Sequence, residues 1–274
     1  MTGIKGHIRK MNPTLASPVE YELPLDSTSV KMNDFIGKPL QLHFTGEINC
    51  LNCDRKIPKT FNQGYCFPCM RSLASCDMCI VKPELCHFFE GTCREPKWGE
   101  AHCMKQHYIY LANSSGLKVG ITREVNIPTR WLDQGATQAL PIMKVQSRLQ
   151  SGVVEIILKK HFNDKTNWRR MLQGPADPID MLAKRDELVP PLHDEINTAL
   201  KPLNGQIEFL DDEPIVEIHY PVEQYPEKIK SLNFDKEPNI EGLLQGIKGQ
   251  YLMFDIGVIN MRKFAGYEIE LISN

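Results

Sequence analysis

The placement of the cysteines constrains this chain more than any other feature. All nine lie between Cys50 and Cys103, and the remaining 220 of 274 residues hold none. Residues Met1 to Pro13 scatter Lys and Arg without an apolar run, so they do not read as a secretory signal. Cysteines without such a signal argue against a disulfide framework and for a reducing compartment, expected to be the cytoplasm. There, clustered thiols serve as metal ligands or as reactive groups. Cys50-x-x-Cys53 and Cys66-x-x-Cys69 stand twelve residues apart. Two such knuckles let four thiolates converge in a tetrahedron about one Zn²⁺, and a site closed by four thiolates is structural. Binding of this kind supplies roughly 10–16 kcal/mol of apparent folding free energy.

A second set follows, and its spacing predicts a second zinc. Cys76, Cys79, Cys86 and Cys93 make the simplest four ligands, while Cys103 with His102 or His107 is able to replace two of them. The plainer alternative is that these are buried free cysteines packing as small hydrophobes.

The rest of the chain is compatible with an ordinary packed core, at 42% hydrophobic residues. No stretch of about 18 apolar residues occurs, so no membrane span is expected. The net charge of −2 names no polyanionic partner. Its distribution says more: residues 111–175 hold ten Lys/Arg against four Asp/Glu, and residues 176–274 hold nine against nineteen. One basic and one acidic face would produce this, and so would charges segregated by module.

Four segments emerge, and together they predict an α+β chain. Residues 1–46 carry short alternating stretches, Val19 to Leu23 and Pro39 to Phe44, that read as strands. Residues 47–107 form the cysteine-rich module, expected to resemble a zinc ribbon. Within residues 108–204, the run 108–122 reads as a β-hairpin turning at Asn113-Ser114-Ser115-Gly116. Helical patterns follow over Pro128 to Gln134, Val153 to Phe162, 178–189 and 192–200, the last two split by Pro190-Pro191. Alternation returns over 205–274 in Pro214 to Tyr220, Tyr251 to Val258 and Tyr267 to Ile272. This is the pattern of a β-rich, barrel-like domain, with the N-terminal strands as candidates to complete it.

Tyr108-Ile109-Tyr110 and Lys118-Val119-Gly120-Ile121-Thr122 sit on the two hairpin strands, followed by Arg130, by Glu155 on an apolar helix and by Asn167. In this order the residues resemble the GIY-YIG endonuclease superfamily, over roughly residues 108–170. The resemblance implies a mixed sheet with helices, in which the hairpin carries both motif halves. Tyr108 or Tyr110 would position a water, Arg130 would hold the phosphate, and Glu155 would bind Mg²⁺ or Mn²⁺. Asn167 would match an Asn found in the repair members, and Lys118 stands where a second Tyr is usual. Phosphodiester hydrolysis calls for such groups: a guanidinium fits phosphate bidentately, and a carboxylate holds a hard cation. Arg123, Lys144, Arg148, Lys159, Lys160, Lys165, Arg169 and Arg170 are further candidates for phosphate contacts.

The whole chain also resembles an uncharacterised bacterial family. The segments that carry this are Pro83-Glu-Leu-Cys-His87, Gly91-Thr-Cys-Arg94, Trp98-Gly-Glu100, Lys118 to Arg123, Thr129 to Ala136 and Gly246 to Tyr251. The run from Arg130 to Gly135 lines a site or ends a helix. Three functions follow in order: a zinc-containing, divalent-metal-dependent endonuclease on DNA or RNA, a non-catalytic nucleic-acid-binding protein, and a zinc-stabilised interaction scaffold. The oligomeric state has no signature in the sequence.

Overall fold

The computed structural model describes residues 3–161 and 167–273. It is mixed α+β, built on three antiparallel sheets. The largest has six strands, in the order Ile4–His7, Tyr267–Ser273, Pro39–Ile48, Asn239–Lys248, Tyr251–Phe254 and Gly257–Asn260. Strands from the two ends of the chain thus pair directly: Ile4 faces Leu271, and Leu42 lies between Leu271 and Ile240. Alternation explains them. In Tyr267–Ser273 the buried residues are Tyr267, Ile269 and Leu271, so one face meets the core. A three-stranded sheet, Asn12–Thr14, Glu20–Leu25 and Thr28–Lys31, adds Tyr21, Leu23 and Leu25 to the same core.

The central sheet runs Val216–Glu217, Gln138–Val145, His107–Asn113, Leu117–Arg123, with Ile207–Phe209 also paired to Gln138–Val145. Its middle strands are buried on both faces. From His107–Asn113, Ile109 and Leu111 enter a core under the helix Arg148–Lys159, while Tyr110 and Ala112 enter the core of the six-stranded sheet. A strand with two buried faces loses the apolar–polar alternation by which strands are read. That is why Gln138–Val145, buried at nearly every position, does not stand out in the sequence.

Three expectations are corrected here. The central sheet is wholly antiparallel, not mixed. Among the described residues the C-terminal strands form an open sheet and close no barrel, since Ile4–His7 and Gly257–Asn260 remain separate edges. The helix predicted over Val153 to Phe162 begins at Arg148, because Ser147 caps it by accepting from the Gln150 N–H. Phe162 and Lys165 lie outside the described residues. The helices Met181–Leu188 and His193–Leu200 are split by the prolines as expected. No helix among the described residues is long and apolar enough to cross a membrane.

Candidate metal centre and cleft

Cys50 follows the long strand Pro39–Ile48, and Cys66 caps the short helix Phe67–Ser72, whose first turn holds Cys69. This brings Cys50, Cys53, Cys66 and Cys69 together, with all four sulfurs within 4.8 Å of one another. Tetrahedral thiolates about 2.3 Å from one Zn²⁺ sit about 3.8 Å apart; Cys53 Sγ and Cys66 Sγ are 3.8 Å apart. Donors surround the sulfurs: Cys66 N–H to Cys50 Sγ (3.2 Å), Cys69 N–H to Cys66 Sγ (3.5 Å) and the Asn52 amide to Cys69 Sγ (3.3 Å). Burial raises the Cys50 thiol, but backbone donors from Cys53, Cys66 and Asn52 outweigh it and hold the group at about 6. The Asn52 amide lowers Cys69, yet the neighbouring sulfurs and burial together push it up to about 12. The Cys50 thiol that ionises readily stands beside a Cys69 thiol that resists it, and a thiophilic dication completes such a donor set. The four residues fit zinc, with Cys53 alone exposed.

The free edge of the strand Leu117–Arg123 borders a cleft of about 1160 Å³. Lys118 and Arg123 line it from that edge, and Arg130 and Gln134 from the helix Thr129–Asp133 and its end. Arg148, Glu155 and Lys159 line it from the helix Arg148–Lys159. Distant segments complete the wall: Lys10 near the N-terminus, Arg262 near the C-terminus, Asn62, Gln63 and Tyr65 from the first cysteine module, and Asp77 with its neighbours from the second cluster. Seven cations thus face two carboxylates, Asp77 and Glu155. Lys10 and Arg262 carry no local signal, because only folding brings the chain ends here.

The helix with Arg130 is held from both sides. Gln250 Nε2 donates to Asp133 Oδ1 (2.9 Å) and to the Met11 carbonyl (3.0 Å), and Tyr220 OH donates to the Ala136 carbonyl (2.8 Å). Gly135 ends that helix with a left-handed backbone at φ 66°. Glu155 pairs with Lys159 one turn later at 3.2 Å, and its side chain is 14% exposed.

Neither tyrosine of the hairpin lines the cleft. Tyr108 donates to Glu124 (3.4 Å) and stacks beneath Lys144 Nζ (5.4 Å). Tyr110 is fully buried and reaches the cleft only through Arg130 and Gln134, donating to Gln134 Oε1 at 3.2 Å. It sits opposite Gly120, where an added Cβ would meet its ring and hydroxyl at 2.5 Å. Only glycine leaves room for that ring. Asn167 is also elsewhere: its side chain accepts from the Arg169 and Arg170 N–H groups and so caps the helix Trp168–Leu172. Lys160 pairs with Glu195 at 2.9 Å and Arg169 stacks over Trp168 at 4.5 Å, and neither is among the cleft residues, nor is Arg170.

A family model described as "Protein of unknown function (DUF2797)" matches residues 37–269. This chain is a member of the DUF2797 family. The resemblance to an uncharacterised family read from the sequence thus holds over residues 37–269, most of the chain. The DUF2797 region takes in both cysteine clusters, the hairpin, Arg130, Glu155 and most of the six-stranded sheet. No curated protein and no solved structure matches the chain. In this DUF2797 member Cys79, Cys86, Cys93 and Cys103 line one small cavity, while Cys76 is among the residues lining the cleft.

Proposed function

We propose that the cleft binds nucleic acid and hydrolyses its phosphodiester backbone, using one Mg²⁺ or Mn²⁺ at Glu155. The observation that carries this reading is the meeting of Lys118, Arg130 and Glu155 in one strongly cationic cleft. These residues also stand in the order of the GIY-YIG motifs. Cleavage of a phosphodiester needs charge stabilisation on the phosphoryl oxygens and a held water. Arg130 would take the phosphate through its planar fork, while Lys118 adds a point charge beside it. A cation held by one carboxylate keeps most of its coordination for water and phosphate, and when bound it supplies Lewis acidity. Arg123, Arg148 and Arg262 would extend the positive track for the polymer, and Tyr65 and Phe61, also in the lining, would supply faces for stacking bases. Tyr110 is a positioning residue. Burial raises its pKa, and Arg130 and Gln134 offset this only in part, so the phenol keeps its proton and holds those two side chains in place.

A second reading is non-catalytic binding. It is favoured by the Lys159 ammonium already sitting on Glu155 and by the hairpin tyrosines Tyr108 and Tyr110 standing outside the cleft lining.

The test is cleavage and binding of labelled single-stranded DNA, duplex DNA and structured RNA, with Mg²⁺ or Mn²⁺, by zinc-loaded protein beside Glu155→Gln. Cutting by the wild type, with binding but no cutting by the variant, supports hydrolysis at Glu155. Salt-sensitive binding by both without cutting selects the second reading. Binding by neither removes nucleic acid as the ligand and leaves the zinc-stabilised scaffold.

A further inference from the structure

Asp77, Cys79 and His87 bring an oxygen, a sulfur and a nitrogen within 4.8 Å of one another. Local turns prepare this. Asp77 caps the short turn Met78–Ile80 by accepting from the Cys79 N–H (3.4 Å), which keeps carboxylate and thiol on neighbouring positions of one turn. His87 opens the turn Phe88–Glu90, which Gly91 ends in the left-handed region at φ 74°. The chain thereby folds back and sets Thr92 against the His87 ring. Neither Asp77 nor His87 belongs to the ligand set that the cysteine spacing predicts.

The hydrogen bonds of Thr92 fix what the imidazole offers. Its hydroxyl donates to the His87 carbonyl (3.3 Å), and its oxygen lies 2.6 Å from Nδ1. A hydroxyl has one proton to give, so it accepts from Nδ1–H and Nε2 keeps the lone pair. An imidazole held at one nitrogen and bare at the other is the form that ligates metals. The bare nitrogen faces Asp77 Oδ2 at 3.6 Å. A hydrogen bond between them would close to about 2.9 Å. Nitrogen and oxygen bound tetrahedrally to one Zn²⁺ stand roughly 3.4 Å apart, near the separation seen. Asp77 Oδ2 also accepts from Arg94 Nε (2.6 Å), and a carboxylate oxygen keeps a second lone pair for a metal. Arg94 donates further to the Met70 and Leu73 carbonyls (3.1 and 3.2 Å), at the end of the helix Phe67–Ser72. All three candidate ligands line a cavity of about 10 Å³, room for one ion, and Cys86, Cys93 and Cys103 share that lining.

We infer that Asp77, Cys79 and His87 bind a second Zn²⁺, with one of those three thiols as the fourth ligand. Oxygen, nitrogen and sulfur together suit this borderline-soft ion. Two thiolates and one carboxylate outweigh the dication by one charge, and the Arg94 guanidinium balances it. Four protein ligands close the site, which makes it structural. It fixes the segment 75–83, which contributes to the cleft lining, and through Arg94 it ties that segment to the first cysteine module. This zinc does not depend on the hydrolase reading.

The test expresses the full chain with zinc supplied and counts zinc per chain by mass spectrometry after desalting. The wild type should carry about two zinc. Asp77→Ala and His87→Ala should each fall to about one, while Cys76→Ser keeps about two. Serine at one of Cys86, Cys93 and Cys103 should remove the same zinc, and loss at none of them overturns the thiol as fourth ligand. A wild type with about one zinc overturns the site, as does retention of about two by either alanine variant. Should those variants fail to fold, zinc-edge X-ray absorption of the wild type decides. Averaged over both ions, about three sulfurs and about one nitrogen or oxygen per zinc support the mixed site, and sulfur alone overturns it.

Discussion

Gly120 and His107 show how far single residues set this structure. With a Cβ at position 120 the Tyr110 ring has no room, so Gly120→Ala should cost about 1–3 kcal/mol through overpacking. A urea titration measures it. The displaced ring should loosen Gln134 and Arg130 as well, weakening phosphate binding beyond the loss in stability. His107 is fully buried. Its Nδ1–H donates to the Lys105 carbonyl (2.7 Å), and Nε2 has no hydrogen-bond partner among the described residues. Burial lowers its pKa to about 4, with Arg148 and Arg123 adding to the effect and the Lys105 carbonyl opposing it. The unfolded chain therefore takes up the proton first as pH falls. The stability is whole above about 6.5 and is lost as pH drops toward about 4, by on the order of 3 kcal/mol. Comparing wild type with His107→Gln between pH 7 and pH 5 checks this: the variant should show the shallower slope. The glycine and the motif order were legible in the chain, whereas the solvent access of Tyr110 was not, because the second face of its strand is covered by segments far away along the chain.

At the scale of elements, the helix Arg148–Lys159 joins the cleft to the second cysteine cluster. Gly152 lies against Pro83 and Glu84, where a Cβ would come within 2.6 Å of the backbone N of Glu84. Arg148 closes the same junction through two carbonyls. Arg148→Met should cost roughly 2–3 kcal/mol, since two acceptors lose a charged donor, and should speed proteolysis within 75–90. The short helix Trp168–Leu172 provides a contrast. Asn167→Ala should lower stability by about 1 kcal/mol through loss of the cap and leave the proposed cleavage unchanged. A fall in cleavage without a fall in stability would return Asn167 to the chemistry. The spacing of Asn167 after Glu155 suits a catalytic role and a cap equally, and only the direction of its side chain separates them. The same limit applies to Cys76 and Cys79: a C-x-x-C pair reads as two ligands, and the spacing does not say that the two line different hollows.

Across the whole molecule, one hydrophobic core takes residues from 8–48, 110–139 and 218–271. The zinc-fitting module is attached where the strand Pro39–Ile48 ends, through Asn49 N–H to the Gly266 carbonyl (2.8 Å). Removing its metal should therefore disturb the cleft wall at Asn62 and Gln63 along with the module itself. Chelation, or Cys53→Ser, should lower the midpoint of thermal unfolding and weaken nucleic-acid binding together, read by calorimetry and by filter binding. If the cleft takes nucleic acid as proposed, its cationic lining should make that binding steeply salt-dependent. Arg123→Ala and Lys118→Ala should each reduce the slope of log K against log salt by about one.

The sequence by itself determined the local things: a four-thiolate site from two C-x-x-C knuckles, a hairpin turning at Asn113 to Gly116, helices broken by Pro190-Pro191, and the α+β class. Each depends on residues close along the chain, where propensity and spacing act directly. Only the tertiary structure decided that the chain ends pair in one open sheet, and that Lys10 and Arg262 reach the cleft of Arg130 and Glu155. It alone turned Tyr110 inward and grouped Cys103 with Cys79, Cys86 and Cys93. The physical reason is common to all of these. They depend on which buried faces meet, and burial is non-directional, so the partner of a hydrophobic strand is set by the shape of the rest of the core.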